Sequence, residues 1–335
     1  MTHHPVSIVV PTYNRAHLIA RALSSAVSQC DGADDIVVID DASSDDTARV
    51  VAGFPGVRYE RIDHGGAGRA RNRGVELARH RLVAFLDSDD RFLPGTLACR
   101  RALMGARPDL VFCFSNFSGQ WDNGPVEPGC LIQWNHDDRD WSEILAPGAP
   151  LSSLAPSRGC AVDPMVHVGS MYHAEMRRSY ISANTVVVNR DRAGDALRFP
   201  EDLPTYEDWE CFGRLAGTGL CAYLAFDSAV QHVHRGPRLT DAAIEVSIRA
   251  RLVLLERVWG QDQAFLAAHR EDYDRVCAEQ RLNGAKLLLR AGRQADARAL
   301  LRRVQGGPLW ARVARHVPVP ALAVKAWSAA RNRRR

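Results

Sequence analysis

With 335 residues, 46% hydrophobic and 24% charged, the chain has ample material for a soluble globular core, enough for two domains or one α/β domain with an appendage. A net charge of +4 does not mark nucleic acid as a partner, and none is expected. No stretch approaches about 18 consecutive apolar residues and the amino terminus enters a strand at once, so neither a transmembrane helix nor a signal peptide is expected and the chain is assigned to the cytoplasm. The 8 cysteines stand singly, with no CxxC pair, which argues against a zinc knot or a dithiol redox motif. Of 43 basic residues only Lys286 and Lys325 are lysine, a skew that points to genome composition rather than function.

In chain order, Ser7 to Val10 is a β-branched strand closed by Pro11, Thr12, Tyr13 and Asn14. A helix follows with Leu18, Ala22, Leu23, Ala26 and Val27 near a 3.6-residue period. Asp35 to Ile39 is the second strand, and Ser44 or Asp45 can cap the helix after it. Val57 to Ile62 makes a third strand, after which His64 to Gly68 open another helix. Leu82 to Leu86 is the fourth strand, Pro94 begins a helix, and Leu110 to Phe114 is the fifth strand. Strands alternating with short helices predict a doubly wound, mainly parallel α/β sheet. From Ser115 to about Tyr180 the pattern dissolves into Gly-, Pro-, Asp- and Trp-rich segments, a length of loop that is usually functional. Periodicity returns over Ile181–Val188, Phe199–Gly219 and Leu220–His234, and beyond Leu239 the chain is helical in character.

The fourth strand ends in Asp87-Ser88-Asp89-Asp90. Carboxylates at the carboxyl end of a buried parallel strand sit where open α/β sheets bind ligands. Three acids in four residues repel one another unless a cation lies among them, and a hard divalent ion such as Mg²⁺ or Mn²⁺ suits an all-oxygen set. A solvated acidic turn, with Ser88 or Asp90 capping the next helix, is the alternative from these residues alone.

Five segments together resemble the family 2 glycosyltransferases, inverting enzymes of the GT-A fold. They are SIVVPTYNR (Ser7–Arg15), VIDDASSDDT (Val38–Thr47), GGAGRARNRG (Gly65–Gly74), FLDSDD (Phe85–Asp90) and TYEDWECFGRL (Thr205–Leu215), and they cover roughly residues 5 to 235 in order. The third lacks the last glycine of GxGxxG and follows a third strand, so it is not a dinucleotide loop. The resemblance implies a nucleoside-diphosphate sugar donor, a UDP-sugar favoured, with a glycan or lipid-linked hydroxyl acceptor, a Mn²⁺ or Mg²⁺ cofactor and no covalent enzyme intermediate. It places Pro11, Thr12, Tyr13, Arg15 and Asp41 around the base, with Arg71 on the base or a phosphate. Asp87 and Ser88 take supporting donor-side positions, Asp89 lies near the ribose, and the metal is held by Asp90 with Asp89 and His234. Asp208 is the expected general base, with Glu207 as the fallback. Each has an ordinary reading too: a surface arginine for Arg71, a helix-start acid for Asp208, an edge-strand histidine for His234.

The implied organisation is a GT-A domain over 1–238, with a nucleotide-binding half of about 1–115 and an acceptor-side half of about 116–238, then a helical C-terminal region over 239–335. His64 stands where relatives often carry Asn, and Trp121, Trp134 and Trp141 within the 115–180 segment can stack on sugars or anchor loops. The Arg- and Trp-bearing tail from Pro308 can lie on an anionic membrane surface, at the inner face of the membrane, or pack on the body. Two other readings stand: a GT-A scaffold without catalysis, which the intact acids oppose, and a sugar-1-phosphate nucleotidyltransferase, whose Gly-rich loop PTYNR lacks.

Overall fold

The computed structural model describes residues 4–122, 124–137, 139–156, 159–160, 162–234 and 243–316. Its order begins β1 (Val6–Thr12), α1 (Ile19–Val27), β2 (Asp35–Asp40), α2 (Thr47–Val51), β3 (Val57–Arg61), α3 (Gly66–Leu77) and β4 (Leu82–Phe85). It continues with β5 (Arg91–Phe92), α4 (Thr96–Ala106), β6 (Phe112–Trp121), β7 (Val126–Glu127), α5 (Cys130–Asn135), α6 (Trp141–Ile144) and β8 (Ala149–Pro150). Then come α7 (Leu151–Leu154), β9 (Met165–Gly169), α8 (Tyr172–Arg177), β10 (Val187–Asn189), α9 (Arg190–Ala193), α10 (Glu207–Ala216) and β11 (Cys221–Val233). Four helices end the described chain: α11 (Ile244–Leu255), α12 (Gln263–Arg290), α13 (Gln294–Arg302) and α14 (Leu309–Ala314).

One sheet runs β3-β2-β1-β4-β10-β6-β11-β9-β8, with β5 added on β11 and β7 on β6. β1 pairs parallel with β2 and β4, β2 with β3, and β6 with β11. The short β10 is antiparallel to both β4 and β6, so β4 and β6 point the same way and their carboxyl ends share one edge. Side chains alternate between two apolar layers, as a sheet covered on both faces requires. Val9, Val83, Phe85, Phe112 and Phe114 face a layer that includes Ala70 of α3, Leu131 of α5 and Phe212 of α10. Val6, Ile8, Val10, Leu82 and Ala84 face the other, with Leu23 of α1 and Leu103 of α4.

Several local expectations change. The helix expected to begin at Pro94 starts at Thr96, behind Gly95 in the left-handed region at φ 74°. The cap position of α2 falls on Asp46 rather than Ser44 or Asp45 and has no side-chain cap bond, although Asp45 accepts from the Thr47 amide at 3.1 Å. The segment from Ser115 is not loop throughout: β6 continues to Trp121, and β7 to β9 and α5 to α8 follow, because pairing with β11 supplies the backbone partners that local sequence does not announce.

Chain contacts divide the protein into two compact units. The first runs from the amino terminus to Leu203 and over Glu207–Gly236, and the second takes Pro204–Tyr206 and the residues from Pro237 onward. Within the second, α12 and α13 form a helical hairpin turning at Gly292, φ 77°, over a small core of Ala285, Leu288, Leu289, Ala297 and Leu301. Of the tail read from Pro308 as a membrane-surface or packed segment, α14 packs Ala311 and Ala314 into that core, and the part beyond His316 lies outside the described residues. Among the described residues, no helix is long and apolar enough to cross a membrane.

Two glycines of the GGAGRARNRG segment let α3 lie close on its neighbours. A Cβ on Gly74 would stand 2.2 Å from Val9 Cγ1 on β1, and one on Gly68 would stand 2.5 Å from the Pro200 carbonyl oxygen. Replacing glycine by alanine inside a helix normally stabilises by up to about 1 kcal/mol. Here overpacking outweighs that gain, and Gly74→Ala is expected to lose about 1–3 kcal/mol in urea denaturation. An unchanged or raised midpoint would show that the β1–α3 contact yields freely.

Candidate active site

The first cluster gathers where β1 and β2 end. Asp40 accepts from the Ser43 amide at 2.7 Å and from the Tyr59 hydroxyl at 2.6 Å, which bends the chain out of the strand. Asp41, 3% exposed, accepts the Gly65 amide at 2.7 Å on one carboxylate oxygen and the Gly66 amide at 2.8 Å on the other. It thereby ties the end of β2 to the start of α3. His64 Nδ1 lies 2.9 Å from the same carboxylate, and the Tyr13 ring rests 4.8 Å from the His64 ring. Tyr13 is exposed at the rim while Pro11 and Thr12 are buried, and the Thr12 hydroxyl has no partner among the described residues. The two loops are pinned to each other by Asn14, whose amide donates to Ser43 Oγ and whose side-chain oxygen accepts the Ser44 amide, both at 2.8 Å. Arg15 is held through its amide on Thr47 Oγ1.

The second cluster lies at the end of β4. Arg71 of α3 is buried, and its guanidinium forks to Asp87 and Glu207, each at 2.7 Å, above the Phe199 ring at 5.4 Å. Its neighbour Asn72 donates to the Phe199 carbonyl at 2.9 Å and accepts the Phe199 amide at 2.7 Å, which fixes the chain that leads into α10. Next to Glu207 on the first turn of α10, the half-buried Asp208 carboxyl is pushed up to about 7, first by burial and then by the charge of Glu207, with Arg71 opposing.

The four-residue acidic turn divides by direction. Asp87 faces Arg71. Ser88 is buried. Asp89 turns outward, its Oδ2 3.1 Å from His234 Nε2 and 3.6 Å from Arg15 Nε, while its backbone carbonyl accepts from the Arg21 guanidinium. Asp90, the expected metal ligand, turns inward. Its oxygens accept the His232 amide at 2.9 Å and the Asn184 side-chain amide at 2.7 Å, and burial, then Asp89 and Asp87, raise its pKa well above the ordinary carboxyl value. Every expected site residue thus lies at or just past the carboxyl end of β1, β2, β4 or β11, in the first two turns of α3 or in the first turn of α10.

Sequence reading did not single out Arg21, Asn72 or Asn184. Asn72 sat in plain view inside the Ala-Arg-Asn motif. Asn184, fully buried just before β10, carried no local signal. Of the three tryptophans, Trp141 is a core anchor stacked 3.7 Å from the Tyr223 ring, whereas Trp121 and Trp134 are exposed.

Known proteins resemble this chain in sequence and in fold. The family description Glycosyl transferase family 2 matches residues 7–143. The succinoglycan biosynthesis protein ExoU of Rhizobium meliloti is 28% identical over 287 residues, 82% of this chain and 73% of that protein. ExoO of the same organism, also a succinoglycan biosynthesis protein, is 44% identical over 95 residues, 28% of this chain and 27% of that protein. The crystal structure of Staphylococcus aureus TarS residues 1–349 with UDP-GlcNAc superposes with a TM-score of 0.58 at 19% identity, covering 90% of this chain and 82% of that one. The match establishes a GT-A fold.

The Arg71 fork makes a stability prediction. Arg71→Ala leaves Glu207 buried without its cation, and removing one partner of a buried pair costs about 3–5 kcal/mol. Arg71→Lys, a point charge where a planar fork spans two carboxylates, is expected to recover only part of that in thermal melts. A variant with wild-type stability would mean that solvent already reaches this cluster.

Proposed function

We propose that the chain, whose residues 7–143 match the Glycosyl transferase family 2 description, moves a sugar from a nucleoside-diphosphate donor, UDP-linked by preference, onto a hydroxyl of a growing glycan or lipid-linked acceptor, with inversion. The observation that carries the reading is the Asp208 carboxyl, pushed up to about 7 beside Glu207 and Arg71. A base with that affinity is about half ionised at pH 7 and strong enough to take the acceptor proton as the glycosidic bond forms. Glu207, the alternative base, has its Oε1 on Arg71, which favours Asp208. Direct attack by the acceptor needs no enzyme nucleophile, and inversion follows from that single displacement.

On the donor side, Tyr13 over His64 offers an aromatic edge for the base, with Pro11, Thr12, Arg15 and Asp41 around it. The unpartnered Thr12 hydroxyl, next to the turn, suits a polar ligand atom. Arg71 holds Asp87 in place, and Ser88 and Asp89 complete the wall where the diphosphate and ribose would lie. Asp89 and His234 would hold a divalent cation: an outward carboxylate oxygen and an imidazole nitrogen 3.1 Å apart form a converging pair, and the nitrogen favours Mn²⁺ over Mg²⁺. Such an ion neutralises charge on the departing diphosphate. Asp90 fits a positioning role better than a ligand role, because both its oxygens already fasten the turn to β11 and to Asn184. The names of ExoU and ExoO support a place in glycan assembly, and the UDP-GlcNAc in TarS supports the uridine preference.

Calorimetric titration with UDP, GDP and dTDP, each with Mn²⁺ and with EDTA, tests the donor. UDP is expected to bind with Mn²⁺ and to weaken sharply in EDTA, in Asp89→Ala and in His234→Ala. Binding of none of the three by folded protein would refute the transferase and favour a scaffold without catalysis.

Asp208→Asn should lower the transfer rate by about 10²–10⁴-fold at unchanged nucleotide affinity. In the wild type, the rate should climb with pH and level off above about 7, since only the ionised carboxyl accepts a proton. A raised folded-state pKa means that this group's stabilisation is complete below its unfolded value near about 4 and fades as pH rises through 7. Asp208→Asn should therefore raise the melting temperature more at pH 8 than at pH 5. A flat rate between pH 6 and 8 would exclude Asp208 as the base.

A further inference from the structure

Two large indoles stand in solvent at the edge of the same sheet that carries the acids. Trp121, the last residue of β6, is 41% exposed, and Trp134 on α5 is 46% exposed. Their rings meet edge-to-face at 6.5 Å, and Trp134 in turn meets the buried Phe117 at 5.0 Å. The backbone is shaped for this. A Cβ on Gly119 would stand 2.8 Å from the Trp121 ring, so the glycine lets that ring lie down along its own strand. β6 pairs parallel with β11, matching Trp121 with Val233 one residue before His234, and the Asp122 amide donates to the Val233 carbonyl at 2.8 Å. Phe117 and Leu131 of α5 belong to the apolar layer that holds Phe212 of α10, so the Trp pair shares the sheet face of the helix that bears Asp208.

We propose that Trp121 and Trp134 form a stacking platform for a pyranose ring of the acceptor glycan. The word acceptor rests on the transferase reading above; the platform rests on this geometry. An exposed aromatic face offers an apolar surface with a negative quadrupole, which matches the C–H face of a pyranose. Among the described residues, the pair is flanked in the chain by the exposed Asp122, Gln133 and His136, and on β7 by the exposed Glu127 opposite Gly119. An apolar protein or acyl partner would strip water from those groups without replacing their hydrogen bonds, whereas sugar hydroxyls can bond them while the ring covers the indoles. Trp141 takes no part, since it is buried against Tyr223.

Saturation-transfer NMR on the full chain tests this, with methyl β-glucopyranoside, methyl β-galactopyranoside, the methyl glycoside of N-acetylglucosamine, cellobiose and lactose as probes and acyclic sorbitol as control. Wild type should give ring-proton signals with at least one cyclic sugar and none with sorbitol. Trp121→Leu and Trp134→Leu keep apolar bulk and remove the ring face, and each should weaken binding by about tenfold, with the phenylalanine variants recovering part of it. UDP affinity in Mn²⁺ is measured on the same samples and should stay at the wild-type value. Sugar binding within twofold of wild type in both leucine variants overturns the proposal, as does UDP binding by wild type with no response to any cyclic sugar. Trp-dependent sugar binding without nucleotide binding would uphold the platform and refute the transferase, so the two readings fail separately.

Discussion

Arg71 spans segments that are far apart in sequence: one arm of its guanidinium holds Asp87, 16 residues on, and the other holds Glu207, 136 residues on. A buried cation between two carboxylates is stable only when all three groups are in place, because each left alone would meet the full cost of desolvation. The fork therefore makes α3, the end of β4 and the start of α10 a single mechanical unit. It also sets the chemistry next door. Burial, and then the neighbouring Glu207 held against Arg71, drive the Asp208 carboxyl up to about 7. A residue that ordinary carboxyl chemistry would make a weak base is tuned by a neighbour that need never touch substrate.

Asp90 plays the matching part on the other side of the turn. By accepting from the His232 amide and from Asn184, it anchors the acidic turn to β11 and leaves Asp89 to face outward toward His234 and Arg15. Adjacent carboxylates in one short motif thus divide into an inward group that positions and an outward group that presents charge. Like charges so close are tolerable because they point to different partners: a guanidinium for Asp87, amides for Asp90, an imidazole and an arginine for Asp89.

The cluster at Asp41 follows the same logic with backbone in place of side chains. Its carboxylate captures the first two amides of the Gly65–Gly66 turn, and this sets the direction in which α3 leaves and so where Arg71 lands. Gly74 completes the placement by letting that helix press on Val9. Fold and site are coupled here: the glycines that permit close packing are those of the segment that carries the arginine.

Much of this was legible in the residues. Alternation of apolar strands with amphipathic helices specified the α/β sheet and the carboxyl-end location of the acids, because those patterns are local and periodic. The motif segments named Asp41, Arg71, Asp87, Asp89 and Asp208, and the two-residue repeat put His232 and His234 together, their rings 6.0 Å apart. What local pattern could not supply was direction and partnership. Whether Asp89 or Asp90 faces outward, that Asn184 would hold one of them, that β10 would insert antiparallel between β4 and β6, and that Trp141 is buried while Trp121 and Trp134 stand exposed all depend on contacts between segments up to about a hundred or more residues apart. Sequence alone determined the fold class and the chemical types available at the site; the tertiary structure decided which carboxylate faces which partner, because burial, pairing and pKa belong to an environment rather than to a residue.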